Sequence, residues 1–591
     1  MKLTPDGQAQ INAAHEKLKQ VRASKTVSFS KPAKMLRQEF VGLDKKVTPV
    51  KARYYQVQGI FHLLLMKRLI LGDGTGIGKT FQALGALCYL WEKEPDNRVI
   101  VVSPKAALRQ WESEIEKFTT GIKVFVASGS ASECRKTYEE WAAHKGPDKA
   151  VLIVNYTRLM LDWDAGGGMK PDPADPKKKK QIYTPGLFNN ITAKLSNIVV
   201  IYDEATAFKN TSTKTFQVCE ALSHRASRCY GLTATLLKNN LMEGFSIFKV
   251  VVPWVFQTKT KFMDTYAITK LQTVSGGRKI PLIVGYRNLE LFRLAIDPYF
   301  LGRSKHMVSD ELPVLITKEI PCELSAAEDT KYTEALSGLL ELGDGEMKDY
   351  EESKALVALI YCQQVVNSLS MLRFEGGDDI TTGLFRDESV KVKTLGAKET
   401  ALVELLTGEL EGDKVIVYTR FESLVARLQT ILKQEGIKST RITGKESGEK
   451  RKVNQDVFQD ADSDTKVIFI TDAGSEAINL QTASGLIFYD APWSWGNYVQ
   501  TLGRPVRIGS VHNHVNVYHL VAERPREKRK DQKTIDHHVL EMLRGKKRLS
   551  DAVLGEAAVG ALEFDKQTKS GTKELMRRLQ GKGLGVEETD A

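Results

Sequence analysis

The sequence predicts an α/β protein built as two parallel-sheet lobes in tandem, with a helical insertion region between them. Three observations carry this prediction. Short β-branched runs alternate with amphipathic helical runs over residues 68–232, the pattern of strands buried on both faces. The same alternation resumes over residues 414–521. The chain has 591 residues, enough for about four folding units.

Residues 1–46 read as a polar, basic extension with one helical stretch over residues 11–21. The first lobe spans residues 47–255. Its strand Arg68–Leu71 leads into the amphipathic run Lys79–Trp91, and Arg98–Ser103 leads into Ala107–Phe118. The strands Val151–Val154, Ile198–Tyr202 and Cys229–Leu232 follow. The segment DWDAGGGMKPDPADPKKKKQ, residues 162–181, is rich in Gly, Pro and Lys and reads as a mobile surface insertion. Its lysines Lys177–Lys180 serve either a solvated loop or a phosphate contact. Residues 256–395 read as a helical protrusion and linker. The second lobe, residues 396–560, carries the strands Lys414–Tyr418, Lys466–Ile470, Gly485–Tyr489 and His514–Val521. Residues 561–591 form a polar tail.

Composition excludes several classes. Hydrophobic residues make up 42% of the chain and charged residues 27%, which excludes a disordered or collagenous protein. Lysine and arginine exceed aspartate and glutamate by 85 − 73 = 12, a balance that suits a polyanionic partner. The six cysteines, Cys88, Cys134, Cys219, Cys229, Cys322 and Cys362, form no CxxC. They read as buried thiols of a reducing compartment. The longest apolar stretch, residues 60–71, is short and broken by Lys67 and Arg68, so no membrane span fits. The N-terminus, MKLTPDGQAQ, lacks a signal-peptide core.

Residues 69–80 read LILGDGTGIGKT, an apolar strand, a glycine-rich turn and a helix start. Gly74, Gly76 and Gly78 let backbone N–H groups converge on one anion. Thr75 and Ile77 lie between them. The helix beginning near Lys79 adds its positive end. Lys79 reaches for β- and γ-phosphates, and Thr80 offers a hydroxyl to Mg²⁺. Asp73 occupies the position where such loops usually begin with glycine.

Residues 197–210 read NIVVIYDEATAFKN. A buried strand ends in Asp203 and Glu204, at the edge where parallel sheets place their chemistry. Asp203 suits a Mg²⁺ site, and Glu204 suits the orientation or deprotonation of an attacking water. Residues 500–509 read QTLGRPVRIG. Arg504 and Arg507, three apart, share a face if helical. They either stabilise charge on a transferring phosphoryl group or begin a solvated basic helix. The aromatic stretch Tyr489–Tyr498, with Trp493 and Trp495, reads as packing at a lobe interface ahead of base stacking.

Together these segments resemble the Swi/Snf-type DNA-dependent ATPases of helicase superfamily two, in order over roughly Lys51 to Gly555. Arg53 to Gly59 resembles the family's adenine-reading segment, with Gln56 the reader. The family's phosphate loop also begins with Asp, as Asp73 does here. Val101 to Lys105, then Trp111 and Phe118, resembles a motif that tracks the DNA backbone. Asn155-Tyr156 sits where another strand-end motif belongs. The segment from Asp203 to Asn210 resembles the DEAH box, and Leu232 to Thr235, with Asn239 to Leu241, resembles the coupling motif. Thr443-Gly444, Thr471 to Gly474 with Ile478 to Leu480, and Gln500, Gly503, Arg504 and Arg507 resemble second-lobe motifs. Residues 535–555 resemble the helix that closes the family's core. Thr206 replaces the DEAH histidine, Leu236 replaces a proline, and Ser475 to Ala477 replaces a glycine-rich step.

The resemblance implies two RecA-like lobes that bind ATP and Mg²⁺, the nucleotide held by Gln56 and by the loop residues Asp73, Gly74, Thr75, Gly76, Ile77, Gly78, Lys79 and Thr80, and the metal by Thr80 and Asp203. Gln500, Arg504 and Arg507 then act in catalysis beside Lys79, Asp203 and Glu204. Ser103, Lys105, Asn155, Thr233 and Thr471 then contact nucleic acid. The implied activity is an ATP-driven translocase on duplex DNA, with branched or single-stranded DNA as further substrates, that remodels or displaces DNA-bound proteins or DNA structures. The alternatives are a strand-separating or branch-migrating helicase and a DNA-binding scaffold with a vestigial ATP site. The expected form is a soluble, intracellular monomer, cytoplasmic rather than nuclear, with no membrane contact.

Overall fold

The computed structural model describes residues 33–41, 47–49, 51–164, 169–172, 175–181, 185–273, 279–303, 312–337, 351–372, 395–472, 478–507, 510–525, 533–554 and 561–563. The chain divides into two units. One is Met1–Asp310 with Leu549–Glu563, and the other is Glu311–Arg548 with Phe564–Ala591.

In the first unit, β-branched and aliphatic runs form seven strands: β1 (Arg68–Leu71), β2 (Arg98–Ser103), β3 (Ile122–Ala127), β4 (Lys149–Asn155), β5 (Ile198–Asp203), β6 (Ala226–Leu232) and β7 (Phe300–Leu301). They pair in the order β7-β1-β6-β5-β2-β4-β3, and every pairing is parallel. Residues Val99 to Val102, Val151 to Val154 and Ile198 to Tyr202 are fully buried, because helices cover both faces of a parallel sheet. Consecutive strands β1 and β2 are separated in space by β6 and β5. Chain reversals of this kind open a crevice beyond the strands' C-terminal ends. The helices α1 (Tyr54–Leu65), α2 (Lys79–Lys93) and α3 (Leu108–Phe118) flank that edge.

The second unit carries β8 (Val314–Glu323), β9 (Val415–Tyr418), β10 (Ser439–Ile442), β11 (Val467–Ile470), β12 (Gly485–Phe488) and β13 (His514–Glu523). Their order is β8-β13-β12-β9-β11-β10, again all parallel. Alternation along each strand builds two cores. Val415, Val417, Val467, Phe469 and Ile487 face one. Ile416, Tyr418, Ile468, Ile470, Leu486 and Phe488 face the other. Sequence neighbours therefore point to opposite faces, and both faces are apolar, as a doubly covered sheet requires.

The structure departs from the sequence reading in the region between the lobes. It is not simply helical: strands Ala267–Thr273 and Lys279–Arg287 form an antiparallel hairpin. It also contributes β7 to the first sheet and β8 to the second. Strand β8 pairs β13 over ten residues with mostly exposed side chains. Lys318, Glu319 and Pro321 on it are residues that edge strands tolerate, which weakened its apolar signal. Residues 162–181 are also not one loop: Met169–Asp172 and Asp175–Gln181 pair as a hairpin. Residues Ala561–Glu563, read as tail, pair with Lys279–Arg287. The helix expected over residues 11–21 and the Ser475–Ala477 step lie outside the described residues.

Candidate nucleotide site

Strand β1 ends at Leu71, and the chain turns through Gly72 to Gly78 into α2. Gly76 and Gly78 adopt φ of +79° and +84°, conformations that an L side chain resists. A Cβ on Gly78 would also lie 2.4 Å from Gln56 Nε2. That closeness has a purpose. Gln56 Nε2 donates to the Ile77 carbonyl at 3.3 Å, while Gln56 Oε1 accepts from Arg53 N–H at 2.9 Å. The glutamine that the resemblance assigns to adenine is thereby joined to the phosphate loop. Lys79 Nζ donates to the carbonyls of Asp73 at 2.8 Å and Gly74 at 3.0 Å. Thr75 and Ile77 are buried, whereas Gly74, Lys79 and Thr80 keep solvent contact.

Asp73 has a different setting from the one expected. Its carboxylate is fully buried and faces inward. Oδ1 accepts from Arg303 Nε at 2.9 Å, and Oδ2 accepts from Arg303 at 2.5 Å and from Gln82 Nε2 at 3.0 Å. Only its backbone faces the loop interior. Arg303 was not legible as a site residue: it lies 230 positions away in sequence, with no motif of its own around it.

The acidic pair stands at the end of β5, one strand removed from β1 across β6. Asp203 Oδ2 accepts from Trp111 Nε1 at 2.8 Å, and Oδ1 accepts from Glu204 N–H at 3.0 Å. Its backbone carbonyl accepts from the Tyr156 hydroxyl at 2.7 Å. Burial, then the charge of Glu204, pushes the Asp203 carboxyl up to about 7, while Trp111 and Lys79 pull it down. Glu204 adopts φ +49° and ψ +57°, a left-handed conformation that costs a non-glycine residue about 1 kcal/mol or more. Its Oε2 is buried with no hydrogen-bond partner. A strained backbone and an orphan carboxylate oxygen beside a carboxyl held near neutrality are features of catalytic sites. Asp203 and Thr80 are hard oxygen donors of the type Mg²⁺ takes.

Two further residues join this edge. Lys209 pairs with Glu243 at 3.0 Å. Glu243 also accepts from Lys238 N–H, Asn239 N–H and Asn239 Nδ2 at 2.6–3.0 Å. Sequence reasoning missed Glu243 because glutamate inside an amphipathic helix is ordinary.

The five residues assigned to nucleic acid differ in exposure. Lys105 is exposed. Asn155 is half-buried, and its Oδ1 accepts from Arg158 N–H at 2.9 Å, a helix N-cap. Ser103 and Thr233 are fully buried. Ser103 Oγ donates to Pro104 O, and Thr233 Oγ1 bonds to both backbone groups of Thr235. Thr471, in the second unit, is buried at the end of β11.

The second-unit arginines are not on a helix, contrary to the expected shared helical face. The helix Trp495–Leu502 stops at Gly503. Pro505 disfavours the helical conformation at Arg504, and the helix ends before it. Arg504 is buried, donating to the Ile478 carbonyl at 3.1 Å. Arg507 is half-exposed and bonds Asn479 Oδ1. Gln500 is buried on the helix. The aromatic stretch packs within this unit. Tyr498 stacks on Phe488 at 4.9 Å and on Trp495 at 5.3 Å, and Trp493 and Trp495 lie against its core. All six cysteines are buried and free.

A family model described as the SNF2-related domain matches residues 55–371, more than half of the chain. A second, the helicase conserved C-terminal domain, matches residues 397–509. The chain belongs to the SNF2-related family of ATP-dependent helicase-type enzymes. It is 26% identical over 491 residues to an uncharacterized ATP-dependent helicase of Mycoplasma pneumoniae, covering 82% of this chain and 41% of that one. It is 25% identical over 482 residues to the transcription regulatory protein SNF2 of Saccharomyces cerevisiae, covering 79% and 26%. The chain thus spans less than half the length of either relative. A solved Sulfolobus solfataricus SWI2/SNF2 ATPase core in complex with dsDNA is 19% identical with a TM-score of 0.37, over 94% of this chain and 99% of that one. Among the described residues no helix is long and apolar enough to cross a membrane.

Proposed function

We propose that this protein is a DNA translocase that couples Mg–ATP hydrolysis to movement along duplex DNA, displacing or remodelling what the DNA carries. The observation that carries the ATP half is the shared edge of the first sheet. The phosphate loop after β1 and the acidic pair after β5 lie close enough for the Lys79 charge to act on Asp203. In this reading Lys79 and the loop N–H groups hold the phosphates, and Gln56 holds the base. Thr80 and Asp203 would hold Mg²⁺, which would offset the negative charge of the phosphates. Glu204, held in its strained conformation, takes the proton of the attacking water. Arg504 and Arg507, with Gln500, stabilise charge on the transferring phosphoryl group.

The DNA half rests on the family and on the basic excess of 12 charges. Contacts are then mainly to phosphates and salt-sensitive. Exposed Lys105 is the strongest of the five contact candidates, because the other four have buried or capping side chains. The working lobes in this reading are residues 47–255 and 396–560.

The test is ATP hydrolysis by the purified chain at fixed low salt with no nucleic acid, duplex DNA, single-stranded DNA or RNA. Strong stimulation by duplex supports the translocase. Stimulation by single strands alone moves the reading to a helicase. ATP binding without turnover under any condition refutes the enzymatic reading in favour of a scaffold.

A further inference from the structure

We propose that Arg303 is the positioning residue of the phosphate loop: through Asp73 it sets nucleotide affinity without touching the nucleotide. This rests on the nucleotide-site reading above.

Three observations support it. Arg303 binds Asp73 through two nitrogens, at 2.9 and 2.5 Å, with 11% of the arginine side chain exposed and none of the aspartate. Planar, bidentate pairs of this kind fix geometry as well as charge. Second, the same guanidinium donates to the Tyr55 carbonyl at 2.6 Å and to Gln82 Oε1 at 3.0 Å, and lies 5.5 Å from the centre of the Tyr55 ring. One side chain therefore joins three elements that would surround a nucleotide: α1 beside Gln56, the loop itself, and α2 behind Lys79. Third, the backbone repeats the connection. Gly72 N–H donates to Leu301 O at 2.7 Å, and Gly74 N–H donates to Arg303 O at 3.0 Å. The approach is close enough that a Cβ on Gly72 would lie 2.3 Å from the Phe300 ring.

Arg303 lies two residues beyond a strand that is itself only two residues long, Phe300–Leu301, so strand pairing alone holds the segment weakly. The buried ion pair supplies the rest. Residue 303 also stands near the end of the first unit's main segment, which closes at Asp310. The loop's shape is thus held from the segment by which the chain leaves that unit.

The test uses the full chain. Fluorescent ADP is titrated without DNA, ATP turnover is measured with duplex DNA, and melting is recorded alongside. Arg303→Lys keeps the charge but loses the fork. It is expected to weaken nucleotide affinity and raise KM by about tenfold, the value of one charge-assisted hydrogen bond. At saturating ATP, kcat stays within about twofold, because Arg303 does not meet the reacting atoms. Asp73→Asn and Arg303→Lys then combine non-additively in a double-mutant cycle, since both act through one contact. Unaltered affinity in an Arg303→Lys chain that melts like the wild type overturns the proposal, as does a fall in kcat with KM unchanged. If Arg303→Lys melts early, the double variant Asp73→Asn/Arg303→Gln removes both buried charges and restores folding. Weak nucleotide binding by that variant supports the proposal, and wild-type binding overturns it. A wild-type chain that binds no nucleotide instead refutes the nucleotide-site reading itself, and the inference with it.

Discussion

Replacing Asp203 with Asn is expected to destroy turnover yet stabilise strand β5 in the nucleotide-free protein. Burial and Glu204 push the Asp203 carboxyl from 3.8 up to about 7. At pH 3 the group is protonated whether the chain is folded or not, and it costs nothing. Between about 4 and 7 the folded chain retains a proton that the unfolded chain has lost, so stability falls as pH rises. Above pH 7 the loss is complete, with an upper bound of about 4 kcal/mol for a shift of this size. Asp203 keeps some solvent contact, and screening reduces the figure to about 2 kcal/mol. Asparagine removes the charge; its one carbonyl oxygen can still accept from Trp111, at the loss of the weaker bond from Glu204 N–H. The assay is native-state hydrogen exchange of residues 198–203 without metal or nucleotide, at pH 5 and pH 8. Protection in Asp203→Asn should exceed wild type by about 2 kcal/mol at pH 8 and by clearly less at pH 5. Equal protection at both pH values would refute the argument that this carboxylate is held ionised at a cost.

Lys79→Ala should abolish ATP turnover while the chain still folds, since Lys79 donates to carbonyls of its own loop and keeps solvent contact; wild-type turnover would remove the loop from the mechanism. Arg507→Ala should leave nucleotide affinity within about twofold and slow hydrolysis by about a thousandfold, the scale of an arginine finger; equal loss of binding and rate would assign Arg507 a structural role. Burial, then the charge of Arg544, holds the His519 imidazole down at about 4, against 6.5 when unfolded. The second unit therefore loses about 3 kcal/mol as pH falls from 6.5 to 4. His519→Phe retains the stack on Phe488, 5.0 Å away, and should remove that slope in pH-dependent urea unfolding; an unchanged slope would place it elsewhere.

The lobes were legible because parallel strands buried on both faces are written as uninterrupted apolar runs, as in Ile198 to Tyr202. The phosphate loop and acidic pair were legible because each is contiguous, so one short segment holds both the geometry and the chemistry. Strands β7 and β8 were not. The first is two residues long, and the second is an edge strand whose exposed face carries Lys318 and Glu319. The helical placing of Arg504 and Arg507 failed because Pro505 outweighs the spacing of the arginines. Arg303 was invisible for a different reason. A partner 230 residues away leaves no local pattern, and an arginine in a loop looks like any solvated arginine until the fold brings Asp73 to it.

The two departures from the family pattern near the acidic pair are absorbed by the core. Thr206 and Leu236 are both buried, and neither leaves the turns around them unsupported. The Thr206 carbonyl accepts from Lys209 N–H, and Lys209 then reaches across to Glu243. Glu243 in turn gathers Lys238 and Asn239, at the end of the segment that follows β6. A continuous set of hydrogen bonds and one ion pair therefore runs from the turn after Glu204 to the turn after Thr233. Glu243 is almost fully buried, so removing Lys209 leaves its carboxylate with only the Lys238 and Asn239 N–H donors, a costlier loss than that of a surface pair. The connection between the two turns thus depends on Lys209 and Glu243 rather than on the residue at position 206, and a threonine there is compatible with an intact site.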